Sequence, residues 1–510
     1  MFDALFTTTT EYKKLSHALS GKGACALFGL PASGRAQVYA ALCRQLDKPL
    51  CIVTPGEAEA TRFAADLNTL GIPAAVFPAR DYVLRPIEGT AREYEYRRLA
   101  VLGELVGGRL RAVAVPAEAL TQFTTPKEDF CANTRTLHAG DTLLRDDLLA
   151  ALFGAGYTRR AQVDGPGQFS VRGDIVDIFA PDQKMPVRME FWGDEIDTLH
   201  TFDLTTQRRE DAIDKFYLSP AREVLFGKPA DAAEQLLAFL AKQRGKKKTA
   251  MADCMAADLD LLDGGAVPVN MDKYLAVRYP HPAIVLDYFD DPILVAEEPA
   301  SIREADRATA YRRGEELKSL ILDGVLCAGL DNLYADPSYL WSKTGHYRTI
   351  CAENFARSMP DQPLKDIINA PAHALPAWNG EVAGLLEDLK PLCDAGYTVT
   401  LLAGTDRAAA GLARDLRDKG ILVTTDAAAA PAAGLVQVLA GHLSAGCEFP
   451  FAKYALLTGR AFGETSSQKK KRKKAKDALN SLTEITPGDL VVHQNHGIGR
   501  YAGIQRMAVQ

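Results

Sequence analysis

The sequence predicts an α/β multidomain protein: a parallel α/β domain interrupted by an antiparallel β insert, then a second small α/β domain and the start of a small β-barrel. Three observations lead to this prediction. Short apolar runs alternate with helical patterns over residues 1–120, which is typical of a parallel sheet. The apolar period changes to two over 121–212, which indicates antiparallel strands. Strand and helix patterns alternate again over 346–462.

The composition is typical of a soluble globular protein, with 47% hydrophobic and 24% charged residues. A chain of 510 residues is long enough for about three to five domains. No apolar run reaches the roughly 18 residues that cross a bilayer, and the N-terminus has no signal-peptide pattern, so we expect a cytoplasmic protein without a membrane partner. The nine cysteines are scattered and form no CxxC pair, which favours neither a disulfide framework nor a metal site.

The first 120 residues contain the strand-like runs GACALFGL, PLCIVTPG and IPAAVFP, separated by helical segments. In GRAQVYAALCRQL, Val38, Leu42 and Leu46 fall on one helix face. Each run is bounded by Gly or Pro, which end regular structure. The segment therefore predicts the first part of an α/β domain.

One turn of this domain has the frame of a phosphate-binding loop. That motif needs two glycines five residues apart, then Lys for the phosphates and Ser or Thr for Mg²⁺. Gly29 and Gly34 have the required spacing, but Arg35 and Ala36 follow them. We interpret the turn as a structural connection between strand and helix, and an active nucleotide site is the alternative.

The insert at 121–212 contains two candidate hairpins, with turns at Gly173-Asp174 and Gly193-Asp194. Its side chains alternate between an apolar and a polar face, with Val187, Met189 and Phe191 opposite Arg188, Glu190 and Trp192. The polar face is either a docking surface or a solvated face whose ion pairs contribute under about 1 kcal/mol.

Helical patterns return over 213–345, and we interpret this segment as the completion of the first sheet. Within it we interpret the basic cluster Lys242–Lys248 as a loop between helices. The polar linker at 463–484 contains the run KKKRKKAK, with seven positive charges. We interpret that run as a solvated linker, with a DNA contact as the alternative.

The segment 485–510 contains two short strand patterns with Gly breaks, which predict the opening of a small β-barrel. Two or three strands cannot bury a core alone. We therefore expect the natural chain to continue beyond this segment.

Three stretches carry a resemblance to a known family. FSVRGDIVDIF and the following VRMEFWGDEID resemble the excinuclease protein UvrB and its relatives, the bacterial transcription-repair coupling factors. PGDLVVHQNHGIGRYAGI resembles the RNA polymerase-interacting domain that coupling factors have and UvrB lacks. Their order on one chain resembles the N-terminal part of a coupling factor, before its motor.

The resemblance implies that two nucleotide motifs are degenerate here. The UvrB loop ends in Gly-Lys-Thr, where this chain has Arg35 and Ala36. Where the UvrB family has an Asp-Glu pair after a strand, this chain has Ala296 in place of the metal-binding Asp, followed by Glu297. We therefore expect no enzyme activity and no cofactor in residues 1–510. ATP, Mg²⁺ and most contact with double-stranded DNA are expected only in a translocase motor beyond them.

The resemblance also assigns two docking sites. The excinuclease protein UvrA is expected to bind the insert at Arg159, Arg172, Arg188 and Glu190. Ser170 stands where UvrB often has a further Arg, which is expected to weaken this contact. The RNA polymerase β subunit is expected to pair with a strand edge at Tyr501, Ile504, Arg506 and Met507.

These expectations define three hypotheses. The first is a scaffold for transcription-coupled nucleotide excision repair that recruits UvrA and contacts stalled polymerase. The second is a divergent UvrB-like helicase that binds nucleotide through Arg35. The third is a stand-alone polymerase-binding regulator.

Overall fold

The computed structural model describes residues 3–87, 92–355, 363–378, 382–430, 432–459, 490–493 and 497–500. The chain separates into two compact units, 1–459 and 460–510. None of the helices within the described residues has the length and apolar character needed to cross a membrane.

The chain before the insert alternates helices with short, buried strands. These elements are α1 (Asp3–Thr7), α2 (Thr10–Ala18), β1 (Gly23–Phe28), α3 (Ala32–Leu46), β2 (Leu50–Thr54), α4 (Glu57–Thr69), β3 (Ala74–Val76), α5 (Glu93–Val106), β4 (Ala112–Pro116), α6 (Ala117–Leu120) and α7 (Lys127–Ala132).

The insert is dominated by strands. Its elements are β5 (Arg135–His138), α8 (Arg145–Gly154), β6 (Thr158–Arg159), β7 (Gln168–Arg172), β8 (Ile175–Phe179), β9 (Val187–Trp192), β10 (Glu195–Phe202), β11 (Arg209–Ala212) and β12 (Lys215–Leu218).

The remainder of the first unit returns to mixed helices and strands. It contains α9 (Pro229–Ala241), α10 (Gly245–Asp263), α11 (Leu275–Arg278), β13 (Ile293–Glu297), α12 (Pro299–Leu322), α13 (Tyr339–Lys343), β14 (Arg348–Glu353), β15 (Leu364–Asn369), β16 (His373–Leu375), α14 (Val382–Asp394), β17 (Thr398–Leu402), α15 (Asp406–Asp418), β18 (Val423–Thr424), β19 (Val436–Leu439), β20 (Gly446–Phe449) and β21 (Tyr454–Thr458). Short 3₁₀ turns lie at Met271–Tyr274, Val285–Tyr288 and Pro450–Ala452.

The predicted parallel sheet is present, in the strand order β15-β1-β14-β13-β2-β4-β3. Its neighbouring strands all pair in parallel. The strands come from both sides of the insert, as the sequence indicated. The expected boundary at 345 falls within the residues of this sheet, because β14 lies between β1 and β13 in its interior and β15 forms its edge. The apolar part of β14 is only the run TICA, too short to distinguish a central strand from the start of another unit.

The insert forms an antiparallel sheet in the order β11-β10-β9-β8-β7-β6, apart from the parallel pair of β6 and β7. Gly173 and Gly193 have positive φ angles of 61° and 64°, which suits the tight hairpin turns predicted there. β5 pairs with β12 at the base of the insert. The insert therefore ends after residue 218, beyond the expected edge at 212.

The last part of the first unit contains a further six-stranded sheet, in the order β16-β20-β21-β17-β19-β18. This sheet shares a hydrophobic core with the first one, because Cys447, Phe449 and Tyr454 belong to the same buried cluster as Phe6 and Val38. The small α/β domain predicted over 346–462 is therefore packed directly onto the first sheet.

Buried charges join the segments before and after the insert. Arg98 of α5 contacts Glu223 at 2.5 Å, and Arg80 contacts Asp272 at 2.7 Å and Glu223 at 3.3 Å. The backbone N–H of Glu223 donates to Glu95. Burial opposes ionisation of Glu95, but the surrounding guanidinium groups, that of Arg80 first, lower its pKa to about 2.

The basic cluster Lys242–Lys248 differs from the predicted loop. Only residues 242–244 connect α9 to α10, and the three lysines at 246–248 form the first turn of α10.

The described part of the second unit is an antiparallel hairpin, in which β22 (Leu490–His493) pairs with β23 (Gly497–Arg500). The lysine run at 469–476 lies outside the described residues. So do the polymerase-contact candidates Tyr501, Ile504, Arg506 and Met507.

Candidate functional site

The carboxyl edge of the first sheet brings the two predicted nucleotide motifs together. β1 leads into Gly29 and then α3, while β13 ends at Glu297. Arg35 Nη2 lies 2.9 Å from Glu297 Oε2, and Arg35 Nη1 lies 3.1 Å from Glu298 Oε1. Tyr39 Oη donates a 2.6 Å hydrogen bond to Glu297 Oε1. Arg35 therefore binds the carboxylates at the end of β13 and just after it.

This ion pair is almost completely buried, with Arg35 3% and Glu297 2% exposed. Burial raises the pKa of Glu297, although the Arg35 charge and the Tyr39 hydrogen bond lower it. Burial lowers the pKa of Arg35, but Glu297, Tyr39 and Glu298 more than offset this and raise it. The guanidinium charge is thus neutralised by the protein's own side chains.

The turn between β1 and α3 is covered by β20. Ser33 Oγ donates to the carbonyl oxygen of Gly446 at 3.2 Å. A Cβ atom added at Gly34 would lie 2.8 Å from Cys447 Sγ, closer than real Cβ contacts allow. Ala36 is fully buried in the core shared by the two sheets. Close packing against β20 thus explains a small residue at position 34.

The other positions of this motif also lie in packed surroundings. Gly29 has φ +87°, and an added Cβ would lie 3.1 Å from the carbonyl oxygen of Ala370. Ala296 is fully buried among the apolar residues on the other side of the sheet. The sequence-predicted residues are therefore brought together, with side chains that contact protein rather than an open cleft.

The strands of the insert place polar side chains in two rows on the face opposite its core. The register gives the rows Ser170, Asp177, Arg188, His200 and Arg172, Ile175, Glu190, Thr198. Side chains directly opposite each other on neighbouring strands are close enough to interact. Arg188 and Glu190 therefore lie on the non-core face, as the alternation predicted.

Asp177 is the centre of this polar face and is itself buried. Arg188 binds it with Nε at 2.7 Å and Nη2 at 3.0 Å, and Arg172 Nη2 lies 2.5 Å from Asp177 Oδ2. The hydrogen bond to Asp177 raises the pKa of Arg188. A two-point contact between guanidinium and carboxylate is among the stronger polar contacts in proteins.

Arg188 is largely covered, which the sequence did not predict. Its guanidinium lies 4.7 Å from the ring centroid of Phe202 and donates to the carbonyl oxygen of Gln207 at 3.2 Å. Only 9% of the residue is exposed. Arg188 is therefore held by side chains and backbone of the insert itself.

The remaining predicted positions are more accessible. The Arg172 side chain is 46% exposed. Glu190 accepts from Thr198 Oγ1 at 3.3 Å and forms an ion pair with Arg209. Arg159 is exposed on the edge strand β6, next to β7. The docking candidates thus divide into a covered arginine and accessible polar groups.

Trp192 was not among the predicted site residues. It is 82% exposed at the end of β9 and pairs with Glu195 across the hairpin turn. Exposed large aromatic residues are enriched among the side chains that dominate binding energy in protein interfaces. The signal was available in the sequence, because Trp192 is an apolar residue on the otherwise polar face of its strand.

We expect Arg188→Met to destabilise the insert by about 2 kcal/mol or more, because Asp177 loses its two-point partner in a buried position. Hydrogen exchange of β7–β9 measures this local stability. Arg172→Met is the matched control and should cost under about 1 kcal/mol, since its side chain is half exposed. Equal losses in the two variants would contradict the structural role of Arg188.

We expect Arg35→Met to destabilise the first unit by about 3–5 kcal/mol at pH 8, because the Glu297 carboxylate is left buried without its cation. Burial already raises the pKa of Glu297, so the destabilisation should grow as pH rises through that pKa and shrink at pH 5. Melting temperatures at both pH values, relative to wild type, measure the effect.

Arg35→Met/Glu297→Gln serves as the control for that experiment. It removes the titrating group, so it should recover stability and abolish the pH difference. An Arg35→Met loss of equal size at pH 5 and pH 8 would argue against the buried ion pair.

Comparison with known proteins gives two family matches. Residues 136–224 match the UvrB interaction domain, and residues 485–510 match the CarD-like/TRCF RID domain. The first match covers the insert described above, from β5 to just past β12. The second covers the segment predicted from sequence to open a β-barrel.

The chain is also similar to transcription-repair-coupling factors over nearly its whole length. It is 27% identical to that of Bacillus subtilis over 499 residues and 26% identical to that of Staphylococcus haemolyticus over 499 residues. These alignments cover 95% and 94% of this chain but 42% of each relative. The resemblance predicted from the sequence is therefore confirmed: the chain is similar to the N-terminal region of transcription-repair-coupling factors.

Proposed function

We propose that this chain is a scaffold in transcription-coupled nucleotide excision repair and works in the cytoplasm. It recruits the excinuclease protein UvrA through the insert and contacts the RNA polymerase β subunit through residues 485–510. The two family matches and the relatives' names support this proposal. The observation that carries it is the accessible group around Trp192 on the polar face of the insert.

The docking surface proposed for UvrA consists of Trp192, Arg172, Glu190 and Arg159. Trp192 supplies exposed apolar area near the end of the sheet. Arg172 has one ion-pair contact, with Asp177, and about half of its side chain faces solvent, so its guanidinium can bind a carboxylate of a partner. Arg188 acts indirectly here, because it fixes Asp177 and so orients Arg172.

The polymerase contact is proposed for the second unit. The β22–β23 hairpin offers backbone groups of the kind that pair with a partner strand. Tyr501, Ile504, Arg506 and Met507 follow this hairpin in the sequence and stay the candidate contacts.

The alternative, a UvrB-like helicase, is less well supported. It requires Arg35 to bind nucleotide, whereas the guanidinium of Arg35 contacts Glu297 and Glu298. β20 also covers the turn that would bind phosphate.

For UvrA we expect Trp192→Ala and Arg172→Glu each to weaken binding at least tenfold, because they remove the apolar anchor and reverse the accessible charge. A titration of the full chain by calorimetry measures the affinity. Tyr311→Ala and Arg312→Glu are matched controls, since both residues are exposed on α12, outside the insert. Unchanged affinity in both insert variants would refute this docking surface.

For nucleotide we expect no saturable binding of ATP and no DNA-stimulated ATP hydrolysis by the full chain. Equilibrium titration with a fluorescent ATP analogue and a phosphate-release assay measure the two quantities. Saturable binding that Arg35→Ala abolishes would instead establish the helicase alternative.

A further inference from the structure

The tip of the helical hairpin formed by α9 and α10 concentrates positive charge. Five cations lie within seven residues, and we call them the cationic tip: Lys242, Arg244, Lys246, Lys247 and Lys248. All five are exposed. The nearest acidic residues in the sequence are Glu234 and Asp253. Within the described part of the chain, none of the five has an ion-pair partner.

These charges do not serve the stability of α10. The partial positive charge at a helix start favours acidic residues and disfavours lysine. The first turns of α4, α5 and α8 each contain two acidic residues, whereas that of α10 contains none. Its N-cap residue, Arg244, makes no side-chain capping hydrogen bond. Three lysines at this position lower the stability of the helix, so folding does not explain them.

The hairpin holds the cationic tip in a defined place. Buried residues of α10 begin at Met251 and continue with Met255 and Leu262. They pack with Leu236 of α9 in one apolar cluster. The first turn of α10 lies outside that cluster and its lysines are exposed, although the end of the Lys247 side chain lies close to Gly329. The cationic tip therefore has an ordered support.

We propose that the cationic tip binds the phosphate backbone of double-stranded DNA. Clustered lysines neutralise phosphates and release counterions, which gives affinity without base recognition. The chain as a whole has a net charge of −6, so such a contact has to be local. The choice of DNA over an acidic protein rests on the proposed function, which places the chain beside damaged DNA.

The test is fluorescence anisotropy of a labelled 30-base-pair duplex with the full chain, over a series of salt concentrations. Lys246→Ala/Lys247→Ala/Lys248→Ala should raise Kd about tenfold and reduce the slope of log K against log salt by about two to three. Alanine is the strongest helix former and removes the unfavourable charges. The melting temperature of this variant should therefore equal or exceed that of wild type.

Two variants separate this surface from other positive charges. Lys13→Ala/Lys14→Ala/Lys22→Ala removes the same charge from three exposed lysines elsewhere and should change Kd less than twofold. Replacing the lysines and arginine of 469–476 by serine tests the linker, and the cationic-tip effect should persist in that background.

Three results would overturn the proposal. The first is that the cationic-tip and control variants weaken binding of the duplex equally. The second is that all DNA binding is lost when only the linker run is replaced. The third is that a polyglutamate peptide binds the cationic tip more tightly than the duplex does. The UvrA titration should be unaffected by the cationic-tip variant, so failure here leaves the proposed function to its own test.

Discussion

The buried contact between Arg98 and Glu223 is the constraint on which the first unit depends. Arg98 precedes the insert in the chain and Glu223 follows it, while Arg80 extends the contact to Asp272. Charges buried this deeply are tolerated only when every partner is in place, so the segments before and after the insert have to assemble together. The insert is thereby fixed at both ends to a sheet whose strands are drawn from either side of it. A docking surface for a large partner benefits from such a rigid base.

The same principle distinguishes arginines whose charge is satisfied inside the protein from an arginine that stays accessible. Arg35 and Arg188 are each buried against a carboxylate, Glu297 and Asp177 respectively. Their charges are already satisfied, and little of either side chain can reach a partner. Arg172 shares Asp177 but keeps about half of its side chain in solvent. Exposure, rather than residue type, is therefore the reason that Arg172 is proposed to bind a partner and Arg188 is proposed to support it.

The sequence predicted features that depend on local pattern. The alternation along β9, the glycine turns at 173 and 193, and the parallel strands β1, β2 and β3 all follow from residues close together in the chain. It could not predict that Phe202 and the turn at Gln207 cover Arg188, because Phe202 lies at the far end of the next strand and Gln207 lies in the turn after it. The central position of β14 and the pairing of Arg35 with Glu297 likewise join segments hundreds of residues apart. Exposure of Trp192 was foreseeable in principle, since strand alternation alone assigns its face.

The cover that β20 places over the turn at Ser33 and Gly34 has an evolutionary consequence. Point mutations could introduce Lys and Thr at positions 35 and 36, yet the covering strand would still occupy the approach to the turn. The freed Glu297 would also need a new partner. A phosphate-binding loop at this position would thus require a rearrangement of the sheet that contains β20 together with several substitutions. Packing of this kind limits what single mutations can reach, because larger side chains at positions 34 and 36 would meet the covering strand and the shared core before any ligand.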